Sequence, residues 1–208
     1  MINMTSRKPN KVGQYNAEIS AGSLMPTESR RIAALLLSKP DESAWLHAIE
    51  VQNILQKKTP ATARRQATLI RKRLITLDAQ AWGMIASREI EVVNQLLLAA
   101  AIKHSQLLGD FMRGVYAHRQ RKLEVALSVN DWQDFLVECA HHDPAVSGWS
   151  DSTKLKLFQV IVRILAECKF LDGTRSMKLT PPALHPDVAR YLRQHNESYL
   201  LECMERTQ

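Results

Sequence analysis

Glycine and proline are scarce in this 208-residue sequence, with seven and eight copies, and that scarcity argues against a turn-rich all-β fold. Long apolar runs are missing too. The best candidate, residues 96–102, stops at Lys103, far short of the roughly twenty residues that span a bilayer. Residues 1–14 are polar and basic with no apolar core segment, so no secretory signal is expected. Only three cysteines occur (Cys139, Cys168 and Cys203), an odd number, each within an apolar helical pattern. That is the pattern of reduced core thiols and implies a cytoplasmic protein. There is no Gly-rich phosphate loop and no Gly-x-Ser-x-Gly.

Acid is absent where base is dense. Residues 51–77 hold Lys57, Lys58, Arg64, Arg65, Arg71, Lys72 and Arg73 and no Asp or Glu. These seven equal the formal net charge of +7, because the other 21 bases and 21 acids cancel. Residues 1–127 carry 19 Lys and Arg against 10 Asp and Glu, while residues 128–208 carry 9 against 11. Smaller acid-free clusters lie at Arg7, Lys8 and Lys11, and at Arg113, Arg119, Arg121 and Lys122. A field concentrated in this way attracts a polyanion, although a solvated basic face without a partner has the same composition.

Apolar material, at 45% of residues, suffices for a core, and its periodicity is helical. Thr27 is expected to cap a helix to about Leu37, and Asp41 a second to about Gln56. Thr59-Pro60 starts a third, reaching about Leu77: the hydroxyl accepts from a free amide, and proline has no amide to leave unpaired. Asp78 opens a short helix, and Ser87 a long, mostly apolar one over 88–108, expected at the centre of the core. A further helix is expected over 109–127. Beyond it, Asn130 or Asp131 begins a helix ending near His142, a short piece follows at 145–149, and Ser150 caps another long helix. Residues 169–171 and 177–179 flank Asp172-Gly173-Thr174-Arg175, which reads as a β-hairpin.

The expected fold is therefore mainly α: a multi-helix bundle with a helix-turn-helix-like element, then a small winged-helix-like unit with one β-hairpin. The expected division is a flexible basic tail (1–14), a basic helical domain (15–127) and a winged-helix-like unit (128–208).

On the third helix, Ala63, Ala67, Ile70, Leu74 and Leu77 share one stripe at about 100° per residue. Arg64 and Arg71 fall to one side of it, Arg65 and Lys72 opposite, and Arg73 on the third side. With the helix before it and the Lys57-Lys58-Thr59 link, this unit has the outline of a helix-turn-helix whose bases reach phosphates and guanine edges. Lys154 and Lys156 are the corresponding groove candidates on the later long helix, and Arg175 and Lys178 the wing candidates. Cys139-Ala140-His141-His142-Asp143 offers metal-ligand types without a second pair at zinc spacing, so it reads as a helix end. Lys103-His104 and Tyr116-Ala117-His118 lack a carboxylate or nucleophile at a telling spacing. No catalytic residue, metal, cofactor or small-molecule substrate is expected.

The run Tyr15-Asn16-Ala17-Glu18-Ile19-Ser20-Ala21-Gly22-Ser23-Leu24, followed by Glu28-Ser29-Arg30-Arg31-Ile32-Ala33, resembles the opening of the BrxA family of BREX phage-defence systems. Pro60 to Arg65, Leu97 to Ser105, Leu108-Gly109-Asp110-Phe111, Asp131 to Leu136 and Asp172 to Ser176 resemble it in the same order. The resemblance implies a small helical cytosolic component of such a system, similar to the transcription factor NusB and without known enzymatic activity, that binds DNA. No catalytic residues carry over. The partners this implies are double-stranded DNA and other BREX proteins, with no membrane. A protein–protein scaffold and an RNA-binding subunit of the same complex are the alternatives.

Overall fold

A computed structural model describes residues 15–205. The basic tail over 1–14, with Arg7, Lys8 and Lys11, lies outside the described residues. The chain enters through a 3-10 turn, Glu18–Ala21, whose Ile19 is fully buried. Helix α1 (Pro26–Leu37) starts on Pro26 rather than at Thr27, since proline at the first helical position has no amide to leave unpaired and a φ already suited to the helix; Met25 before it takes a left-handed φ of 51°. Asp41 caps α2 (Glu42–Leu46), accepting from the Ala44 amide at 2.7 Å, and α2 runs into a π-helical turn, His47–Val51. Helix α3 (Pro60–Leu74) follows, then α4 (Ala79–Ser87), capped by Asp78.

The expected long central helix is divided. Ser87 ends α4, and α5 begins at Ile90 and stops at His104. Ser105 leaves the helical region, and α6 (Gln106–Phe111) continues through a π-helical turn, Met112–Tyr116, into α7 (Ala117–Arg121). Every residue from Leu96 to Ile102 is buried, so α5 is the centre of the core. Gly109 is needed where α6 meets the end of the chain, since an added Cβ would collide with the Tyr199 hydroxyl and lie 2.8 Å from Ile102 Cγ2.

Helix α8 (Val129–His142) opens with a reciprocal cap between Ser128 and Asp131, α9 (Pro144–Ser147) is one turn, and α10 (Asp151–Glu167) is capped by Ser150. Helices α11 (Pro186–Gln194) and α12 (Ser198–Met204) close the fold. The architecture is mainly helical.

The β-hairpin does not form, and the winged-helix expectation fails with it. Among the described residues there is no strand, only isolated antiparallel bridges between Leu171 and Leu179 and between Ala126 and Lys178. Lys169 and Met177 take left-handed φ values of 65° and 49°, and Pro181-Pro182 follow at once. The extended stretch on either side of the turn is too short for a ladder.

One apolar cluster runs from Ile19 and Leu24 through α5 to Phe158, Leu192 and Met204. Polar ties cross residue 127 as well: the Leu24 amide donates to Glu167 at 2.9 Å, and the Gln95 side chain bonds Ala183 O and the His185 amide. The three cysteines are buried and free, and burial pushes the Cys139 and Cys203 thiols up to about 12. Among the described residues no helix is long and apolar enough to cross a membrane.

Candidate nucleic-acid interface

The start of α3 follows the sequence expectation. Thr59 Oγ1 accepts from the Thr62 amide at 3.2 Å, and Pro60 occupies the first turn. The connection from α2 is longer than the three residues expected, since the π-helical turn already ends at Val51. Helix α3 packs chiefly on α1, α5 and that π-helical turn. Its buried side holds Ala63, Ala67, Leu69, Ile70, Leu74 and, against expectation, Arg73.

Arg73 is 4% exposed. Its guanidinium donates to Ser23 O at 2.6 Å and Gly22 O at 2.8 Å, fastening the entry segment to α3. Burial draws its pKa down to about 10, which leaves it charged at neutral pH. It is a structural residue and is withdrawn from the contact surface.

The remaining bases of α3 and its lead-in recur every seven residues, as pairs at 57/58, 64/65 and 71/72. Seven residues are nearly two full turns, so along α3 the pairs 64/65 and 71/72 stack into two rows, with 57/58 ahead of them on the lead-in. The first row meets a carboxylate at each position. Lys57 lies 2.5 Å from Glu28 of α1, Arg64 bonds both oxygens of Glu50 at 2.8 and 3.0 Å, and Arg71 lies 3.5 Å from Glu42. The Arg71 guanidinium also covers the Trp45 ring at 4.4 Å. Burial alone would raise the Glu28 carboxyl, but the Lys57 hydrogen bond, a backbone hydrogen bond and the charges of Lys57 and Arg31 together outweigh it and hold the group below its ordinary value.

The second row is open. Lys58 and Arg65 are exposed and meet no carboxylate among the described residues, and Lys72 meets Glu18 at 3.3 Å. Glu18 in turn accepts from His104 Nε2 at 3.2 Å. His104 thus has the carboxylate partner that sequence spacing could not reveal, because Glu18 lies on the entry turn. Its neighbour Lys103 pairs with Glu197.

The other candidate bases are scattered. Arg119 is bound to Glu124 and Asp131, tying α7 to the cap of α8, and is withdrawn as a free contact. Arg121 and Lys122 are exposed at the end of α7, unpaired among the described residues, and Lys156 is exposed on α10. Lys154 is half-buried, 4.0 Å from Asp151, at the rim of an apolar groove of about 520 Å3 between α8 and α10. Among the described residues no three His, Cys, Asp or Glu side chains converge as a metal site, and Cys139 faces inward.

The BrxA family profile matches residues 13–196. This chain belongs to the BrxA family. The "BREX protein BrxA" of Paramagnetospirillum magneticum is 40% identical over 192 residues, covering 92% of this chain and 96% of that one. The protein of the same description from Escherichia coli O9:H4 is 36% identical, covering 90% and 88%. A crystal structure of an uncharacterized protein from Magnetospirillum magneticum has a TM-score of 0.86 and 38% identity, covering 93% of this chain and all of that one. Helix α3, both basic rows, α5 and α10 all lie within the matched residues.

Proposed function

We propose that this BrxA-family chain is a non-enzymatic component of a BREX phage-defence system that binds double-stranded DNA through the open row Lys58, Arg65 and Lys72. One observation carries the reading: Arg65 and Lys72 share one face of α3 two turns apart, Lys58 precedes them on its lead-in, and Lys58 and Arg65 meet no carboxylate among the described residues. A row of cations along a helix follows a phosphate backbone and carries little base information, so binding with weak sequence preference follows. Lys57, Arg64 and Arg71 contribute less, because each must first give up a carboxylate. Arg121, Lys122 and Lys156 are secondary phosphate contacts.

The test is a mobility shift with duplex DNA, single-stranded DNA and RNA across a salt series. With about three phosphates neutralised, log affinity should fall against log salt with a slope of about −3. A flat salt response, or a preference for RNA over duplex, would overturn it. A scaffold role is the alternative, favoured by the half-exposed Val129, Val137 and Leu155 along the α8–α10 groove, 48%, 61% and 55% accessible. Stoichiometric co-purification with another BREX protein, without salt-dependent DNA binding, would decide for it.

A further inference from the structure

Beside the open row lies a shallow groove of about 250 Å3, lined by Arg65, Thr68, Leu69 and Lys72 of α3 and by Glu18 and Ala21 of the entry turn. Two of its walls are cations, and the carboxylate between the entry turn and α3 is the one anion in its lining. A single oxygen of Glu18, Oε2, lies 3.3 Å from Lys72 Nζ and 3.2 Å from His104 Nε2. His104 is nine-tenths buried behind it, and its Nδ1 has no hydrogen-bond partner among the described residues. A neutral ring with its proton on Nε2 accounts for both observations: Nε2–H donates to Glu18, and Nδ1 is left as an unfilled acceptor. Burial and the neighbouring Arg73 and Lys72 hold His104 below its ordinary pKa, which keeps the ring neutral near pH 7.

Glu18 itself is about half-exposed, and its amide donates to Asn16 Oδ1 at 3.0 Å. An ion pair this open is held weakly by its mutual attraction, so another oxyanion can take its place. A phosphate oxygen has the same acceptor character and would meet Lys72, the His104 Nε2–H and Arg65, which has no carboxylate partner among the described residues.

We propose that Arg65, Lys72 and His104 form a seat for one backbone phosphate, and that Glu18 fills it in the free protein as an internal counter-ion displaced on binding. The inference rests on the nucleic-acid reading above and adds a brake to it: each binding event must expel a carboxylate that then lies beside the incoming phosphate.

The full chain is compared with E18Q, with E50Q, which frees Arg64 in the paired row, and with K72Q and E18Q/K72Q. Two probes are used, a duplex of unrelated sequence and inorganic tripolyphosphate, with thermal melting to confirm folding. E18Q should tighten both probes by about threefold to tenfold, and steepen the DNA salt slope by nearly one. E50Q should change neither by more than about twofold, and E18Q should lose its gain in the K72Q background. Equal gains from E18Q and E50Q, or a gain that survives K72Q, would overturn the seat and leave general charge repulsion as the cause. Duplex binding with no gain from E18Q on either probe removes the seat and leaves the DNA reading intact. Tripolyphosphate binding that responds to E18Q, without duplex binding, does the reverse, and failure of both probes removes both.

Discussion

Lys57, Arg64 and Arg71 meet Glu28, Glu50 and Glu42, whereas Lys58 and Arg65, one residue further along at each step, meet no carboxylate among the described residues. Within α3, helix geometry turns that single-residue offset through about 100°, from Arg64 to Arg65 and from Arg71 to Lys72. The first row therefore faces α1 and α2 with its π-helical turn, and the second faces away from them. A window of sequence that contains no acid can still be half neutralised, because the acids arrive from other helices. What attracts a polyanion is the surplus left after that pairing, and on α3 it is concentrated in one row. Arg73 adds a third condition on the same helix, a base that is neither paired nor open but buried on backbone carbonyls.

The largest effect is expected at Arg73. Arg73→Ala removes charge-assisted bonds to Ser23 O and Gly22 O and leaves both carbonyls without their donor, a loss of about 3 kcal/mol in urea unfolding. The folded fraction should bind DNA with an unchanged salt slope. A slope that becomes shallower by about one would return Arg73 to the contact surface.

The two rows can be broken separately. Lys58→Glu with Arg65→Glu, which face no carboxylate among the described residues, should weaken duplex binding by about tenfold to a hundredfold while stability changes by under about 1 kcal/mol. Arg64→Glu with Arg71→Glu should do the opposite. Placing acids against Glu50 and Glu42 should cost about 1–2 kcal/mol of stability, with binding reduced by less than about threefold. Equal binding losses from the two pairs would mean that the rows do not differ in function. A smaller contrast concerns α10: Lys154→Ala with Lys156→Ala should cost less than about threefold, against about fivefold or more for Arg65→Ala with Lys72→Ala. Loss of binding from the α10 pair alone would move the main contact surface there.

These contrasts mark what the chain made legible. Asp41, Thr59, Asp78 and Ser150 were readable as caps, because a side-chain oxygen three residues before a free amide is a local feature. The central place of α5 was readable from its apolar run. The break at Ser105 was not, since two helices that share one apolar face have the same periodicity as a single long one. The hairpin failed because left-handed residues at Lys169 and Met177 leave no composition signal. Arg73 was misplaced because a guanidinium buried on carbonyls 50 residues away looks, in sequence, like any exposed arginine. The seven-residue recurrence of the bases was visible in the sequence, but which row is neutralised required the positions of Glu18, Glu28, Glu42 and Glu50.

The smallest expected effect tests the Glu18 end of the open row through pH. Burial, then Arg73 and Lys72, depress the His104 pKa in the folded chain, and Glu18 opposes them. Above the unfolded value of about 6.5 the ring is neutral in both states and contributes no slope. As pH falls through that value, the unfolded chain takes up a proton that folded His104 still refuses. Stability is therefore lost over the interval down to the folded pKa and no further, the direction set by more protons on the unfolded state. E18Q removes the one group that raises the folded value, so the ring should titrate at lower pH and the interval should widen downward. Following the His104 ring proton by NMR in the wild type and E18Q, with urea midpoints at matched pH, measures both quantities. An unchanged His104 titration in E18Q would show that the carboxylate does not bear on the ring in solution. The open row would then end at a Lys72 as unencumbered as Arg65.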